Sequence, residues 1–187
     1  MIAASQELVT EHGIDACTVD EVARRSGVAK TTIYRHFRNA DDLVMTAIAE
    51  MVEEIATPDH GSLRADVRAV VQGFRTVARH DSFRQVFAEM LVRSMHDEEF
   101  KRLYCAAQET RHAPLRRVLQ RGIARGEVDP DIDVETAMYF VQGPFVAKRL
   151  IENEPLDDDE IEVFLDLVER ALEPRRGERS QRYRASI

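Results

Sequence analysis

Apolar residues recur at spacings of three and four along almost the whole chain, while strand-like alternation is nearly absent. An α-helix turns once in about 3.6 residues, so this spacing gathers apolar side chains into one stripe that has to be covered. The chain is thereby restricted to amphipathic helices packed on one another. Glycine and proline are few, 8 and 6 among 187 residues, and tryptophan is absent. No pattern repeats at a period of roughly 20 to 50 residues. An all-α fold is expected rather than a β-sandwich or a repeat array. At 44% hydrophobic, the chain can bury a substantial core, as one domain or two small ones.

Breaks in the pattern divide it into about nine helices. The first is expected from about Ile2 to His12, ended by Gly13. In "TVDE", Thr18 can cap the backbone and Glu21 can reach back, a capping box opening a short helix to about Ser26. Gly27 turns the chain into a third short helix, about Ala29 to Phe37, and Asn39 caps a fourth from Ala40 to about Ala56. "TPDHGS", Thr57 to Ser62, is the clearest break. Beyond it the spacing predicts helices from Leu63 to Arg79 and, after a capping box in "SFRQ", from Phe83 to Met95. Asp97 opens a long helix to about Ala124, which Pro114 should kink or split. Asp133 and Asp157 can cap two final helices, about Val134 to Asn153 and Asp158 to Glu173. Three regions result: a helix-turn-helix region at 1–56, a larger helical region at 57–173, and a polar, basic tail at 174–187 that is expected to be disordered.

The formal charge is -8, yet Val22 to Ala40 contains no acid, and all five basic residues of the first 56 fall inside that window: Arg24, Arg25, Lys30, Arg35 and Arg38. Such a local field suits an anionic partner even in an acidic chain. Three short helices with a glycine between the second and third form the arrangement of a helix-turn-helix, whose second member enters the major groove of DNA. At about 100° per residue, Ile33 and Phe37 share the inward face of the third helix. Thr31, Tyr34 and Arg35 fan across the opposite side, Lys30 stands at the N-terminal end, and Thr32 and His36 form a flank. Hydroxyls, an aromatic, a guanidinium and an ammonium displayed this way can bond phosphates and base edges. The plainer reading is a solvated basic face, with Arg24 and Arg25 complementing the dipole of a helix end. Turn, caps and inward pair in one register favour DNA.

"TVDEVARRSGVAKTTIYRHFRNADDL" closely resembles the N-terminal helix-turn-helix of the TetR family of transcriptional regulators, whose G-V-S-x-x-T-[LI]-Y-x-H-F core precedes a helix opened by S-K-E-x-L. Gly27, Val28, Thr32, Ile33, Tyr34, His36, Phe37 and Leu43 match, and the resemblance covers about residues 2 to 56. It implies a homodimer in which six further helices per chain form a ligand-binding and dimerisation domain, usually repressing transcription until a small molecule binds. In the family, positions matching Lys30, Thr31, Tyr34 and Arg35 commonly face the groove, and Thr32, Tyr34 and His36 typically contact phosphates. Two features depart from the pattern. Ala40 stands where a phosphate-contacting lysine is usual, and the basic residues that usually precede the first helix are missing ahead of Ile2.

In the larger region most aromatic and methionine positions should be core. A pocket needs an apolar wall and a few polar groups. Phe87, Met90, Tyr104 and Phe145 are the candidates for the wall, with Gln108, Arg111 and Gln142 for the polar groups. The last two helices carry more apolar residues than one buried face needs. Tyr139, Gly143, Val146, Leu150, Phe164, Leu165, Val168 and Leu172 are therefore expected to meet their copies in an isologous four-helix dimer interface, unless they only complete one chain's core.

Enzyme chemistry finds little support. A single Glu-x-x-His, Glu109 to His112, lacks the second copy that a di-metal bundle needs. There is no G-x-S-x-G, glycine-rich phosphate loop or H-E-x-x-H. No catalytic residue, metal or cofactor is expected. Cys17 and Cys105 form no C-x-x-C and are expected to be reduced. No run approaches the roughly 18 apolar residues of a membrane span, and the N-terminus is amphipathic rather than a signal peptide, so a cytoplasmic protein without a membrane partner is expected. The expected function is ligand-responsive transcriptional regulation, usually repression, by a homodimer that binds double-stranded DNA at a palindromic operator and is released by a small-molecule effector. Its rival is a helical small-molecule-binding protein whose helix-turn-helix serves protein contacts. Salt-sensitive retention on DNA separates the two.

Overall fold

Side-chain caps open most of the helices in the computed structural model, which describes residues 1–51, 57–77, 81–152, 154 and 156–174. Helix α1 (Ile2–His12) closes at Gly13, and a 3-10 turn absent from the sequence reading, Ile14–Ala16, leads to α2 (Val19–Ser26). The Thr18 hydroxyl accepts the Glu21 N–H at 3.2 Å, answering one of the donors that a first turn leaves open. Only half of the expected box forms, because the Glu21 carboxylate takes Arg24 at 2.9 Å instead. Gly27 adopts a left-handed φ of 72°, which costs a residue without Cβ nothing, and turns the chain into α3 (Lys30–His36). Asn39 Oδ1 accepts the Asp42 N–H at 2.9 Å and opens α4 (Ala40–Met51). The rest of the expected fourth helix, 52–56, lies outside the described residues.

Helices α5 (Leu63–Val77) and α6 (Asp81–His96) follow. Since α6 already includes Asp81, "SFRQ" lies within the helix rather than before it. Asp97 accepts the N–H groups of Glu99 and Phe100 at 2.9 and 3.0 Å and opens α7 (Glu98–Ala124). Its 27 residues continue through Pro114 without splitting and span about 40 Å. Helix α8 (Val134–Ala147), capped by Asp133, passes into a π-helical turn at Lys148–Glu152 instead of remaining α-helical. Helix α9 (Asp158–Leu172) opens on a complete capping box between Asp157 and Glu160, at 2.8 and 3.0 Å. The expected disordered tail, 175–187, lies outside the described residues.

Two apolar cores share α7 as a spine. In the first, Leu8, Val22, Ile33 and Leu43 from α1 to α4 close over Val86, Phe87 and Met90 of α6 and Phe100 of α7. In the second, Val67 and Val71 of α5, Leu115 and Leu119 of α7, Met138 of α8 and Leu165 of α9 pack together. Burying each such side chain contributes roughly 1.5 to 3 kcal/mol relative to leaving it exposed. The helix-turn-helix thus rests on α6 and the first half of α7 rather than on a core of its own.

Polar contacts fix the same junction. Glu89 of α6 accepts the Ile14 N–H at 2.8 Å, and a Cβ built at Gly13 would lie 2.6 Å from that carboxylate. A side chain there would push the Glu89 carboxylate off the Ile14 N–H, and the φ of 84° at Gly13 itself favours glycine. Arg93 of α6 bonds Asp41 of α4 at 2.6 Å, reaches Asp15 at 3.3 Å and lies over the Phe100 ring at 4.6 Å. Among the described residues, no helix is long and apolar enough to cross a membrane.

Candidate nucleic-acid interface

Helix α3 has only 7 residues and no side-chain cap, so its position depends on what holds it from beneath. Ile33 is fully buried and Phe37 half-buried, as the inward pair requires. With that face fixed, Lys30, Thr31, Tyr34, Arg35 and His36 are exposed, and Thr32 is half-buried on the flank. Tyr34 keeps 57% of its surface open, a large share for an aromatic ring. Ala40, which stands in place of the usual lysine, is half-buried against the first core and offers no side-chain donor to a phosphate.

Ion pairing separates the five cations of the acid-free window. Arg24 pairs with Glu21 at 2.5 Å, Arg25 with Glu11 at 2.8 Å, Lys30 with Asp20 at 2.7 Å and Arg38 with Asp42 at 3.5 Å. These acids flank the window in sequence and fold back on its cations. The Arg24 hydrogen bond holds the Glu21 carboxyl below its usual range, and Arg25 does the same for Glu11. Among the described residues, Arg35 is the one cation of the five that has no carboxylate partner. A phosphate or guanine edge reaching Arg35 displaces only water, whereas at the other four it competes with an acid.

Five of the seven pocket candidates form one group, and Phe145 and Gln142 are placed apart from them on α8. Phe87, Met90, Tyr104, Gln108 and Arg111 come together where α6 packs on α7. The Phe87 and Tyr104 rings meet edge to face at 6.5 Å, Gln108 Nε2 donates to the Tyr104 hydroxyl at 2.9 Å, and the Arg111 guanidinium lies over the Phe87 ring at 5.5 Å. Phe145 packs elsewhere, edge to face with Phe164 at 4.9 Å in the second core. Gln142 keeps its side-chain nitrogen buried without a hydrogen-bond partner.

The expected dimer seam needs correction. Phe164, Leu165, Val168 and Leu172 are buried in the chain's own second core and are not free to meet a copy. They form, with Ile161, the one stripe that α9 needs to cover α5, α7 and α8. The outward residues of α9 are Val163 and Leu167, 62% and 54% exposed. Counting apolar residues without assigning their phase around the helix hid this. On α8, Tyr139 at 63% and Val146 at 41% are exposed, as is Gly143, and Phe140 joins them at 46%. The Leu150 side chain lies outside those described. An open groove of about 370 Å³ runs past Asp157, Glu160, Val163 and Leu167 on the same side.

Glu109 and His112 of the lone Glu-x-x-His are otherwise engaged. Glu109 bonds Arg116 at 3.0 Å, and His112 is buried edge-on to Tyr139 at 6.2 Å. Sequence reasoning missed Glu89 and Arg93, whose partners Ile14, Asp15 and Asp41 lie far away in sequence; no local pattern marks such contacts.

Comparison with known proteins agrees with this geometry at both ends of the chain. Residues 1–46 match the model for bacterial regulatory proteins of the tetR family, and residues 57–168 match the tetracyclin repressor-like C-terminal domain. The uncharacterized HTH-type transcriptional regulator YdeS of Bacillus subtilis is 28% identical over 176 residues, covering 92% of this chain and 86% of its own. The DNA-binding transcriptional repressor TetR of Mycobacteroides abscessus is 29% identical over 166 residues, covering 84% of each. Among solved structures, the TetR family transcription regulator SCO0332 superposes with a TM-score of 0.71 at 25% identity, covering 92% of this chain and 96% of that one. The chain belongs to the TetR family of bacterial transcriptional regulators.

Proposed function

We propose that the chain binds a palindromic operator as a homodimer and releases it when a small molecule occupies the helical domain. The observation that carries the DNA half of this reading is Arg35, exposed beside Tyr34 and Thr31 on a helix anchored by Ile33 and left without an acid partner. Lys30, Thr31, Tyr34 and Arg35 face the groove, while Thr32, Tyr34 and His36 take phosphates. Two such helices related by a dyad read half-sites about 34 to 36 Å apart. The Mycobacteroides abscessus relative bears the name of a repressor, which supports repression here. Such a protein works in the cytoplasm, beside the chromosome.

Residues 1–56 serve as the DNA-binding region and 57–173 as the effector and dimer region. Tyr139, Phe140, Val146, Val163 and Leu167 supply an exposed apolar face on α8 and α9 for the second copy. Exposed apolar clusters of this kind mark interaction surfaces, and a two-fold axis makes the face its own partner. A solution mass of one chain would overturn this part.

Communication runs through α6. Phe87 and Met90 line its inner side, while Glu89 and Arg93 grip the Ile14 turn and α4. A ligand that shifts α6 against α7 therefore moves the base on which α3 stands. The coupling is reciprocal, so operator must weaken effector binding by the factor by which effector weakens operator binding.

The test is selection of bound sequences from random duplex DNA with the full chain, followed by a screen for compounds that release it. Enriched inverted repeats are expected. Failure to retain any duplex at low salt would overturn the DNA reading.

A further inference from the structure

The inward stripe of α7 changes chemistry along its length. Tyr104, Gln108, Arg111, Leu115 and Leu119 recur at spacings of three and four and so share one face. Leu115 and Leu119 are fully buried in the second core, and the three residues before them on the stripe are polar. Helix α8 changes in the same way, since Gln142 follows one turn after the fully buried Met138. The two helices run antiparallel: Arg116 bonds Glu135 at 2.9 Å, and one turn away His112 meets Tyr139. A further turn along each brings Gln142 to the level of Gln108. A polar layer therefore lies between the two apolar cores, bounded by Phe87 and Met90 of α6.

Among the described residues, this layer holds hydrogen-bond donors and no anion. Arg111 is half-buried, its guanidinium lies over the face of Phe87, and it has no carboxylate partner among the described residues. A ring face answers part of a cation's charge, but a guanidinium has five N–H donors and no acceptor. Desolvation pushes the Arg111 pKa below the usual arginine value, with Tyr104 opposing. The Tyr104 hydroxyl accepts from Gln108 and keeps its own proton to give. The Gln142 side-chain nitrogen is buried with no acceptor among the described residues. Other half-buried arginines are answered: Arg64 by Glu162, Asp166 and Glu169, Arg116 by Glu109 and Glu135, and Arg125 by Asp66 and Glu127.

We infer that this layer binds an amphipathic anion, with a carboxylate or phosphate headgroup on Arg111, the Tyr104 hydroxyl and the Gln142 amide, and an apolar chain along Phe87 and Met90. The inference rests on the reading of the helical domain as the effector domain and names the chemical class of its effector. An acidic headgroup accepts from all three donors at once, and a desolvated charge without an anion beside it among the described residues is an arrangement that proteins otherwise avoid. The occupied face belongs to the helix that carries Glu89 and Arg93, so the site and the DNA-facing helices share one mechanical element.

The test uses the full chain and three probes below their micelle concentrations: decanoate, decyl phosphate and decanol. Calorimetry is expected to show that at least one of the two anions binds about 10 to 100 times more tightly than the alcohol, the range set by a charge-assisted hydrogen bond. Which anion wins separates carboxylate from phosphate recognition. Arg111→Met should abolish the preference and leave decanol binding intact, while Arg111→Lys retains part of it and Tyr104→Phe loses a smaller part. A structural arginine would behave otherwise, because replacing it with methionine would lower the melting temperature. With no partner to strand, Arg111→Met is expected to keep the melting temperature or raise it. Equal affinity for decanol and both anions, or an anion preference unchanged in Arg111→Met, overturns the inference. Operator binding by Arg111→Met without ligand separates the two readings, since its persistence leaves the regulator standing even where the anion site fails.

Discussion

Arg35 and Arg111 are both guanidinium groups without a carboxylate partner among the described residues, in opposite surroundings. On α3 Arg35 is open to solvent, and the missing partner shows only by elimination, because every other cation of its window is engaged. Between α6 and α7 burial acts directly on Arg111, and the missing partner is itself an energetic anomaly. The outer site is ready for a polyanion that arrives with its own counterions to release, and the inner one for a single anion that must leave water. The two regions also differ in self-sufficiency. Helices α2 and α3 have 8 and 7 residues, too short to be stable alone, whereas α5 to α9 have 14 to 27, and α5, α7, α8 and α9 share a core of their own.

That difference is broken most severely at Phe100, which belongs to α7 by sequence and to the first core by packing. Phe100→Ala is expected to cost about 3 to 5 kcal/mol of stability and to remove DNA binding with it. Thermal unfolding should show one transition at a lower temperature. If α1 to α4 kept their melting and operator affinity, the helix-turn-helix would be independent of α6 and α7 after all.

The next effect is at the surface. Arg35→Ala should cost about 1 to 3 kcal/mol of operator binding, read by fluorescence anisotropy. Arg24→Ala, whose guanidinium is held by Glu21, should cost less than about 1 kcal/mol. Equal losses would mean that ion pairing does not divide these cations. A loss at Arg35 that is uniform across sequences, with a shallower salt slope, would assign it to a phosphate instead of a base.

Much of this surface was legible in the sequence because its determinants are local. Thr18, Gly27, Asn39 and the inward pair Ile33 and Phe37 act within one or two turns, and their effects are those expected. The α7 and α9 caps at Asp97 and Asp157 were equally plain. Local signals failed where a rival partner lay nearby, as when Arg24 took Glu21 from the capping box. They also failed where the phase of a long apolar helix decides which side faces inward, as on α9. The pocket residues of α6 and α7 were recognisable as types, but only packing brings Arg111 over Phe87 and sends Phe145 to the other core.

Glu89 tests the joint between the two regions. Glu89→Ala leaves the Ile14 N–H without its acceptor and should lower stability by about 1 to 2 kcal/mol in urea unfolding, while Glu89→Gln keeps an acceptor and recovers most of it. The sharper readout is coupling. The alanine variant should bind effector and operator with less mutual interference than the wild type, since among the described residues Arg93 is then the polar grip that α6 keeps on the turn before α2. Unchanged interference would move the communication path from α6 to the α4–α7 contact.

The smallest expected effect is a pH dependence confined to the larger region. Burial holds His112 below the ordinary histidine value, with Arg111 and Arg116 adding to the shift and Glu109 and Glu135 opposing it. The folded state therefore favours neutral imidazole, and below about pH 6.5 the unfolded chain binds the extra proton first. Stability from this source is complete above that value and falls as pH falls through the folded pKa. His112→Gln, which cannot titrate, should flatten the melting temperature between about pH 7 and pH 5.5 while leaving the acid losses of Asp97 and Asp133 at lower pH. Those two carboxyls are held down by helix-capping bonds, so their stabilisation is lost only as they protonate below the usual carboxylate range. A wild-type melting temperature that does not fall across the upper window would show that His112 keeps enough water to titrate normally, and that the wall between the second core and the exposed Tyr139 is open at that point.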